Sequence, residues 1–384
     1  MKKELTIDFK EVAKEYKKLK CPKDVYNPLT IPWEICKWAV IMSDRSRGKT
    51  TNLLLYGMVL NKMYGTEIQY IRSHEDMIAP KNCKDLFETI LQYHYVEILT
   101  DGKFNTIIYD KRRWYYAKID DSGEVIEKDL RQFCTMLSVD KSQVYKSSYN
   151  APNGDFILFD EFIEKFYYPN EFIYFLDLVK TICRDRTTPL IALSANTIDK
   201  QSPYLRELEI YKDVQKMKMG ASQIVTTALG TKIYVSILSA ITKKENALRM
   251  TVNKLYYGFQ NSKIASITGS ETWSMSSYPH SPEERHILSQ NHYILFNDNL
   301  LQMEICDSTD LGIFVNIHEG KKLHDDSVVY TLESPIDKRY RYALGWSKLD
   351  RLIWDKYRNN LFYYQYNDIG DMVEKFYNQA KKGT

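Results

Sequence analysis

The sequence predicts an α/β protein whose core is a parallel sheet, and three stretches carry that prediction. Trp38–Met42, Phe156–Phe159 and Leu190–Ala195 are short, almost continuously apolar runs, the pattern of strands buried on both faces. Each ends in polar residues: Ser43 to Thr51 after the first, Asp160 and Glu161 after the second, and Asn196 after the third. Helical patterns separate the runs, and strands alternating with helices form layered α/β domains. At 384 residues the chain is long for one domain, so two are expected.

Taken in order, Phe9, Val12, Ala13, Tyr16 and Leu19 recur at helical spacing within residues 8–20. They predict an amphipathic helix that docks on its own domain or on a neighbouring subunit. Pro22, Pro28 and Pro32 then punctuate an extended lead into the first strand. After the helix that begins near Lys49, residues 67–72 read as a second strand ending in Arg72. Residues 81–99 read as helical. Phe104–Tyr109 and Trp114–Ile119 flank the charged tip 110–113 and predict a hairpin. Further strands are expected at 131–137, 156–161 and 190–196, with a helix over 170–183 between the last two. More strands and turns are expected from Ser202 to Ile241, and a helix over 243–257. The Gly-, Ser-, Thr- and Pro-rich stretch 266–282 is the best domain boundary. Short strands at 292–296, 300–306 and 311–317 and helices near 344–357 and 368–381 complete the pattern.

Composition excludes several classes. A hydrophobic content of 44% and a charged content of 27% are those of a globular protein rather than a disordered one. No apolar run reaches the length of a membrane span, and the start of the chain lacks the apolar core of a signal peptide, so the cytoplasm is the expected location. The six cysteines are scattered without a CxxC pair, which argues against zinc and against a disulfide framework. A net charge of +3 assigns any polyanion contact to local patches.

The chemistry-bearing stretch is SDRSRGKTT, Ser43, Asp44, Arg45, Ser46, Arg47, Gly48, Lys49, Thr50 and Thr51, set between an apolar strand and a helix. That setting makes a phosphate-binding loop: backbone amides and the positive helix end attract phosphate. Lys49 is expected to reach the β- and γ-phosphates and Thr50 to hold Mg²⁺. Ser43 stands where the usual pattern has its first glycine. Asp160 is expected in the Mg²⁺ shell with Thr50, and Glu161 as the carboxylate that polarises the attacking water. Ser194 and Asn196, at a strand tip, are placed to sense the γ-phosphate. ATP and Mg²⁺ are thus the expected ligands, and ATP hydrolysis the expected reaction.

The motifs ILFDEFI (157–163), PNE (169–171), RDR (184–186), LSAN (193–196) and SPY (202–204) resemble the DNA-packaging ATPases of small podophages, the phi29-like group. The resemblance spans nearly the whole chain and concentrates in 156–205. It implies an ASCE-type P-loop NTPase domain over 1–240, a helical linker over 241–275, and a smaller C-terminal α+β domain over 276–384 that resembles an inactive RNase H-like nuclease. It implies a motor that threads double-stranded DNA into a prohead. The motor would work as a homomeric ring, typically a pentamer, docked on the portal or connector; in the type phage a structural packaging RNA mediates the docking. The expected setting is the infected cell, transiently on the prohead and not in the mature virion. Arg184 matches the finger that completes a neighbour's site, with Arg186 the close alternative. Arg72 and Lys146 match further basic residues near the γ-phosphate at the subunit interface. Arg45 and Arg47 leave open which arginine acts in cis.

Glu304, Asp307, Asp310, Asp325 and Asp326 fit no two-metal nuclease spacing, and His318 and His324 are expected at the surface. Lys321, Lys322 and 338–341 are the C-terminal stretches suited to grip nucleic acid or the portal. Two other enzymatic outcomes stand beside the motor: a cutting terminase with a live nuclease, and an ATPase that moves on single strands. A nucleotide-bound assembly scaffold is the non-enzymatic one.

Overall fold

The structure is a computed structural model that describes residues 6–43, 47–164, 170–196, 200, 202–239, 278–280, 282, 284–343 and 351–382. The chain divides into two compact units, Met1–Trp273 and Ser274–Thr384, and the division falls within the Gly/Ser/Thr/Pro-rich stretch. The expected linker helix lies outside the described residues.

In the first unit, the elements run α1 (Phe9–Lys17), β1 (Trp38–Met42), α2 (Lys49–Tyr64) and β2 (Ile68–Arg72). Three short helices follow, α3 (Pro80–Cys83), α4 (Glu88–Gln92) and α5 (Tyr95–Leu99), where one helical region was expected. Next come β3 (Thr106–Asp110), β4 (Arg113–Ile119), β5 (Val125–Lys128), β6 (Cys134–Ser138), α6 (Ser142–Ser148), β7 (Phe156–Asp160) and α7 (Glu171–Cys183). The unit closes with β8 (Leu190–Ala195), α8 (Pro203–Glu207), α9 (Tyr211–Lys216), β9 (Ser222–Thr226) and β10 (Lys232–Ile237).

These strands form one ten-stranded sheet in the order β3-β4-β6-β2-β7-β8-β1-β10-β9, with β5 paired to β4. From β6 to β10 every pairing is parallel, and Met42 lies level with Ala195 on one side and Ile237 on the other. The apolar runs read from the sequence are the buried centre of this sheet. The β3–β4 hairpin turns through Lys111 and Arg112, both in the left-handed region (φ 48 and 68). The Arg112 guanidinium is drawn onto Glu75 and the Tyr145 hydroxyl, so only part of the charged tip faces solvent.

Asp8 caps α1 by accepting from the amides of Lys10 and Glu11. The helix docks on its own unit: Val12 and Tyr16 are buried, and the Tyr16 hydroxyl donates to Asn52 Oδ1 in α2 at 2.7 Å. α2 is apolar nearly all round because it is buried on most sides. Its Gly57 permits that position: a Cβ there would lie 2.7 Å from Ile68 Cγ1 and 2.8 Å from Phe156 Cδ1.

The second unit contains β11 (His286–Phe296), β12 (Asn299–Ser308), β13 (Gly312–Glu319), β14 (Val328–Thr331), β15 (Tyr340–Tyr342), α10 (Arg351–Arg358), β16 (Phe362–Tyr364) and α11 (Asn367–Lys382). Its sheet has the order β15-β14-β11-β12-β13-β16. β11, β12 and β13 form an antiparallel meander, while β14 and β16 join it in parallel. Ile294, Met303 and Val315 pack with Val373, Phe376 and Tyr377 of α11 in its core. The three expected strands are present and longer than read; β14, β15 and β16 were not anticipated, because their apolar runs are only three or four residues long.

Val at position 57 would add bulk against β2 and β7 without improving helix propensity. Gly57→Val is therefore expected to lower stability by about 1–3 kcal/mol, measured as a lower urea midpoint with an unchanged slope.

Candidate nucleotide site

The carboxyl ends of β1, β8, β7 and β2 bring the candidate residues together at one sheet edge, where open α/β sheets bind ligands. Gly48 starts α2 in the left-handed region (φ 67), and a Cβ there would meet Val25 Cβ at 2.9 Å, so only glycine fits the turn. The first bond within the helix is from the Asn52 amide to the Gly48 carbonyl, 3.0 Å. The amides of Lys49, Thr50 and Thr51 precede it and belong to the helix end that attracts anions. Asp44, Arg45 and Ser46 lie outside the described residues.

Lys49 is 2% exposed. Its ammonium donates to Ser43 Oγ at 2.6 Å and to Asn196 Oδ1 at 2.9 Å. Serine in place of the customary glycine thus supplies an acceptor for the loop lysine, a role invisible in the sequence pattern. Asp160, 4% exposed, is the hub of the neighbouring polar cluster. The Thr50 hydroxyl lies 3.0 Å from both its oxygens, Tyr70 donates to Oδ2 at 2.9 Å, and Ser194 donates to Oδ1. Burial, and then the Asp160 charge, push the Tyr70 hydroxyl well above its ordinary range, so it remains a donor. Thr50 and Asp160 together present hard oxygen donors, the set that suits Mg²⁺.

Glu161 follows the strand in the left-handed region (φ 53). Its carboxylate accepts from Asn196 Nδ2 at 2.7 Å and pairs with the Arg72 guanidinium. Burial works against the charge on Arg72, but Tyr70, Asp160 and Glu161 outweigh it and raise its pKa further. Arg72, expected near the γ-phosphate at a subunit interface, ends β2 beside β7 at the same sheet edge as Glu161.

The other basic residues separate. Arg186 is committed to its own chain: it donates to the carbonyls of Ala151 and Pro152 at 2.8 Å and of Ile182 at 2.7 Å, and pairs with Asp155 at 3.2 Å. It therefore closes the end of α7. Arg184 is exposed and donates to the Tyr149 carbonyl at 3.0 Å. Its backbone has φ 49 and ψ −116, a region that favours glycine. Lys146 is exposed on α6, 3.8 Å from Asp177 of α7. Among the described residues, neither Arg184 nor Lys146 bonds to Lys49, Thr50, Asp160 or Glu161. Arg47 sits on the opposite flank of β1, where its carbonyl accepts from the Tyr26 amide at 2.7 Å.

Sequence reasoning missed Tyr70, which alternates within an ordinary strand pattern. It also missed Glu171 of the PNE motif as a buried acceptor. Glu171 takes the Tyr204 hydroxyl at 2.8 Å and Ser73 Oγ at 3.4 Å, tying α7 to α8 and to the end of β2.

The fold is that of a P-loop α/β protein with a parallel-rich sheet. Among solved structures it resembles the bacteriophage Phi-29 viral genome packaging motor assembly, with a TM-score of 0.54 and 16% identity over 93% of this chain and 100% of that one. It also resembles the Phi-28 gp11 DNA packaging motor, with a TM-score of 0.50 and 16% identity over 91% and 95%. The chain thus has the fold of the phi29-like packaging motors. No protein-family model matches it, and no curated protein does.

The two RDR arginines should part in stability measurements. Arg186→Ala leaves several carbonyls and Asp155 without their donor and is expected to cost about 2–4 kcal/mol. Arg184→Gly relieves a disfavoured backbone and is expected to gain about 1 kcal/mol. Both are checked by urea unfolding, and the opposite order would reverse the assignment of which arginine is structural.

Proposed function

We propose that this chain is an ATP-hydrolysing motor subunit of viral DNA packaging, which moves double-stranded DNA as a member of a homomeric ring. The observation that carries the proposal is the convergence of Lys49, Thr50, Asp160 and Glu161 at one sheet edge. Hydrolysis is the attack of water on the γ-phosphorus with cleavage of its bond to the β–γ bridging oxygen, releasing ADP and phosphate. Lys49 supplies positive charge to the phosphates beside the helix amides, and Glu161 orients the water and takes its proton. Asn196 and Arg72 position the Glu161 carboxylate, and Asn196 also touches Lys49, so one amide is in contact with both groups that flank the γ-phosphate. Thr50 and Asp160 would hold Mg²⁺, which neutralises phosphate charge when bound.

The ring is supported by Arg184. A non-glycine residue kept at a backbone position that costs about 1–3 kcal/mol is a mark of function. Its guanidinium faces solvent on the α6–α7 flank, where Lys146 and Lys180 are also exposed beside Ile173 and Val144. Such a surface suits contact with a second copy, whose γ-phosphate Arg184 would complete in trans. Lys146 is assigned to the same contact. Arg186, already spent on carbonyls, is not. The prohead portal, and a packaging RNA as its adaptor, are the assigned docking partners.

In the second unit Glu304 is buried and held by Asn316 Nδ2 at 2.7 Å, His318 Nε2 at 3.2 Å and Arg285 at 3.6 Å. We assign this cluster to the interior of the unit rather than to metal-dependent cutting.

The test is ATP turnover with proheads and duplex DNA. Glu161→Gln is expected to lower turnover by about 10²–10⁴-fold, and Arg184→Ala by about 10³–10⁵-fold. A mixture of the two is expected to recover part of it. Full turnover by Arg184→Ala would remove the trans finger, and full turnover by Glu161→Gln would remove the hydrolytic site.

A further inference from the structure

Helix α1 and the residue before it are joined to α2 at three points. The Asp8 amide donates to the Tyr64 hydroxyl at 3.0 Å, Glu15 pairs with Lys62 at 3.1 Å, and the Tyr16 hydroxyl donates to Asn52 Oδ1 at 2.7 Å. The last is the buried one, between residues 5% and 3% exposed. Cys21 Sγ donates to the Tyr16 oxygen at 3.6 Å and leaves the hydroxyl proton for Asn52. Burial, and then Cys21 beside it, push the Tyr16 hydroxyl above its ordinary range, so it stays a donor.

Asn52 carries this contact to the phosphate loop. Its Nδ2 donates to the Gly48 carbonyl at 2.9 Å, and its own amide donates to the same oxygen at 3.0 Å. A carbonyl oxygen has two lone pairs, and here one residue occupies both. Because Tyr16 donates, Oδ1 must face Tyr16, and Nδ2 is thereby turned to Gly48. A peptide unit is planar and trans, so its carbonyl and the next amide point opposite ways. Holding the Gly48 carbonyl therefore fixes the direction of the Lys49 amide, the first of the α2 amides that attract phosphate. The Tyr26 amide does the same for the preceding unit by holding the Arg47 carbonyl at 2.7 Å. Gly48, at φ 67, is the most permissive residue type, so this turn needs restraint from outside.

We propose that Asn52, oriented by Tyr16 of α1, is a positioning residue that presets the Gly48–Lys49 peptide of the loop for nucleotide phosphate. The proposal rests on the nucleotide site described above. A donor that is already ordered loses no further freedom when the ligand arrives. The effect therefore falls on phosphate affinity and not on the chemical step.

Substitutions at position 52 separate positioning from packing. Asn52→Ala and Asn52→Ser remove similar volume, and both release the Asn52 oxygen from Tyr16. Serine in a helix, however, donates to the carbonyl four residues back, as Thr100, Ser148 and Thr181 donate in this chain. At position 52 that carbonyl is Gly48. Titration calorimetry of the full chain with ATP is expected to show Asn52→Ala weakened about tenfold and Asn52→Ser only about threefold. Tyr16→Phe, which keeps the ring and lets the Asn52 amide turn, is expected to weaken ATP about threefold. In turnover with proheads and duplex DNA the loss is expected in KM, with kcat changed by less than about twofold. Urea midpoints of the two position-52 variants are expected to agree, so their difference in affinity is not one of folding. Equal ATP affinity in Asn52→Ala and Asn52→Ser, or a loss carried by kcat with KM unchanged, overturns the positioning role while leaving the phosphate site standing. If the position-52 variants do not fold, unchanged ATP affinity in Tyr16→Phe overturns it. Failure of wild type to bind ATP overturns the nucleotide site itself, and the positioning role with it.

Discussion

The buried carboxylate of Asp160 is the group on which the geometry of the first unit depends. A charge removed from water must be matched by donors, or it becomes the costliest atom in the fold. Thr50, Tyr70 and Ser194 provide them from α2, β2 and β8, so one side chain of β7 ties three neighbouring elements to a common edge. Parallel register makes this possible, since it brings the carboxyl ends of all the central strands to the same level. The same alignment sets Asn196 between Lys49 and Glu161.

Two candidate site residues sit on backbone that most residues avoid. Glu161 leaves β7 through a left-handed turn, and Arg184 ends α7 at φ 49. The contrast between the two arginines is instructive. Both follow the same helix, but Arg186 is fastened by five carbonyls and Asp155, whereas Arg184 is turned outward. A cation bound into its own chain and an exposed one thus stand two residues apart.

Much of the fold was legible locally. A buried parallel strand must be apolar on both faces, so Trp38–Met42, Phe156–Phe159 and Leu190–Ala195 announced themselves, and the polar residues that follow marked the sheet edge. Lys49, Thr50, Asp160 and Glu161 were legible for the same reason. What the sequence could not contain is which distant groups meet. Tyr70 reaches Asp160 across 90 residues and Arg72 reaches Glu161 across 89, and neither leaves a local periodicity. Arg72 reads locally only as a basic strand end, and the adjacency of β2 and β7 is what pairs it with Glu161. Apolar pattern and turn chemistry are properties of neighbouring residues, and the sequence by itself determines them. Partner choice among buried polar groups depends on strand order, which only the packed sheet decides.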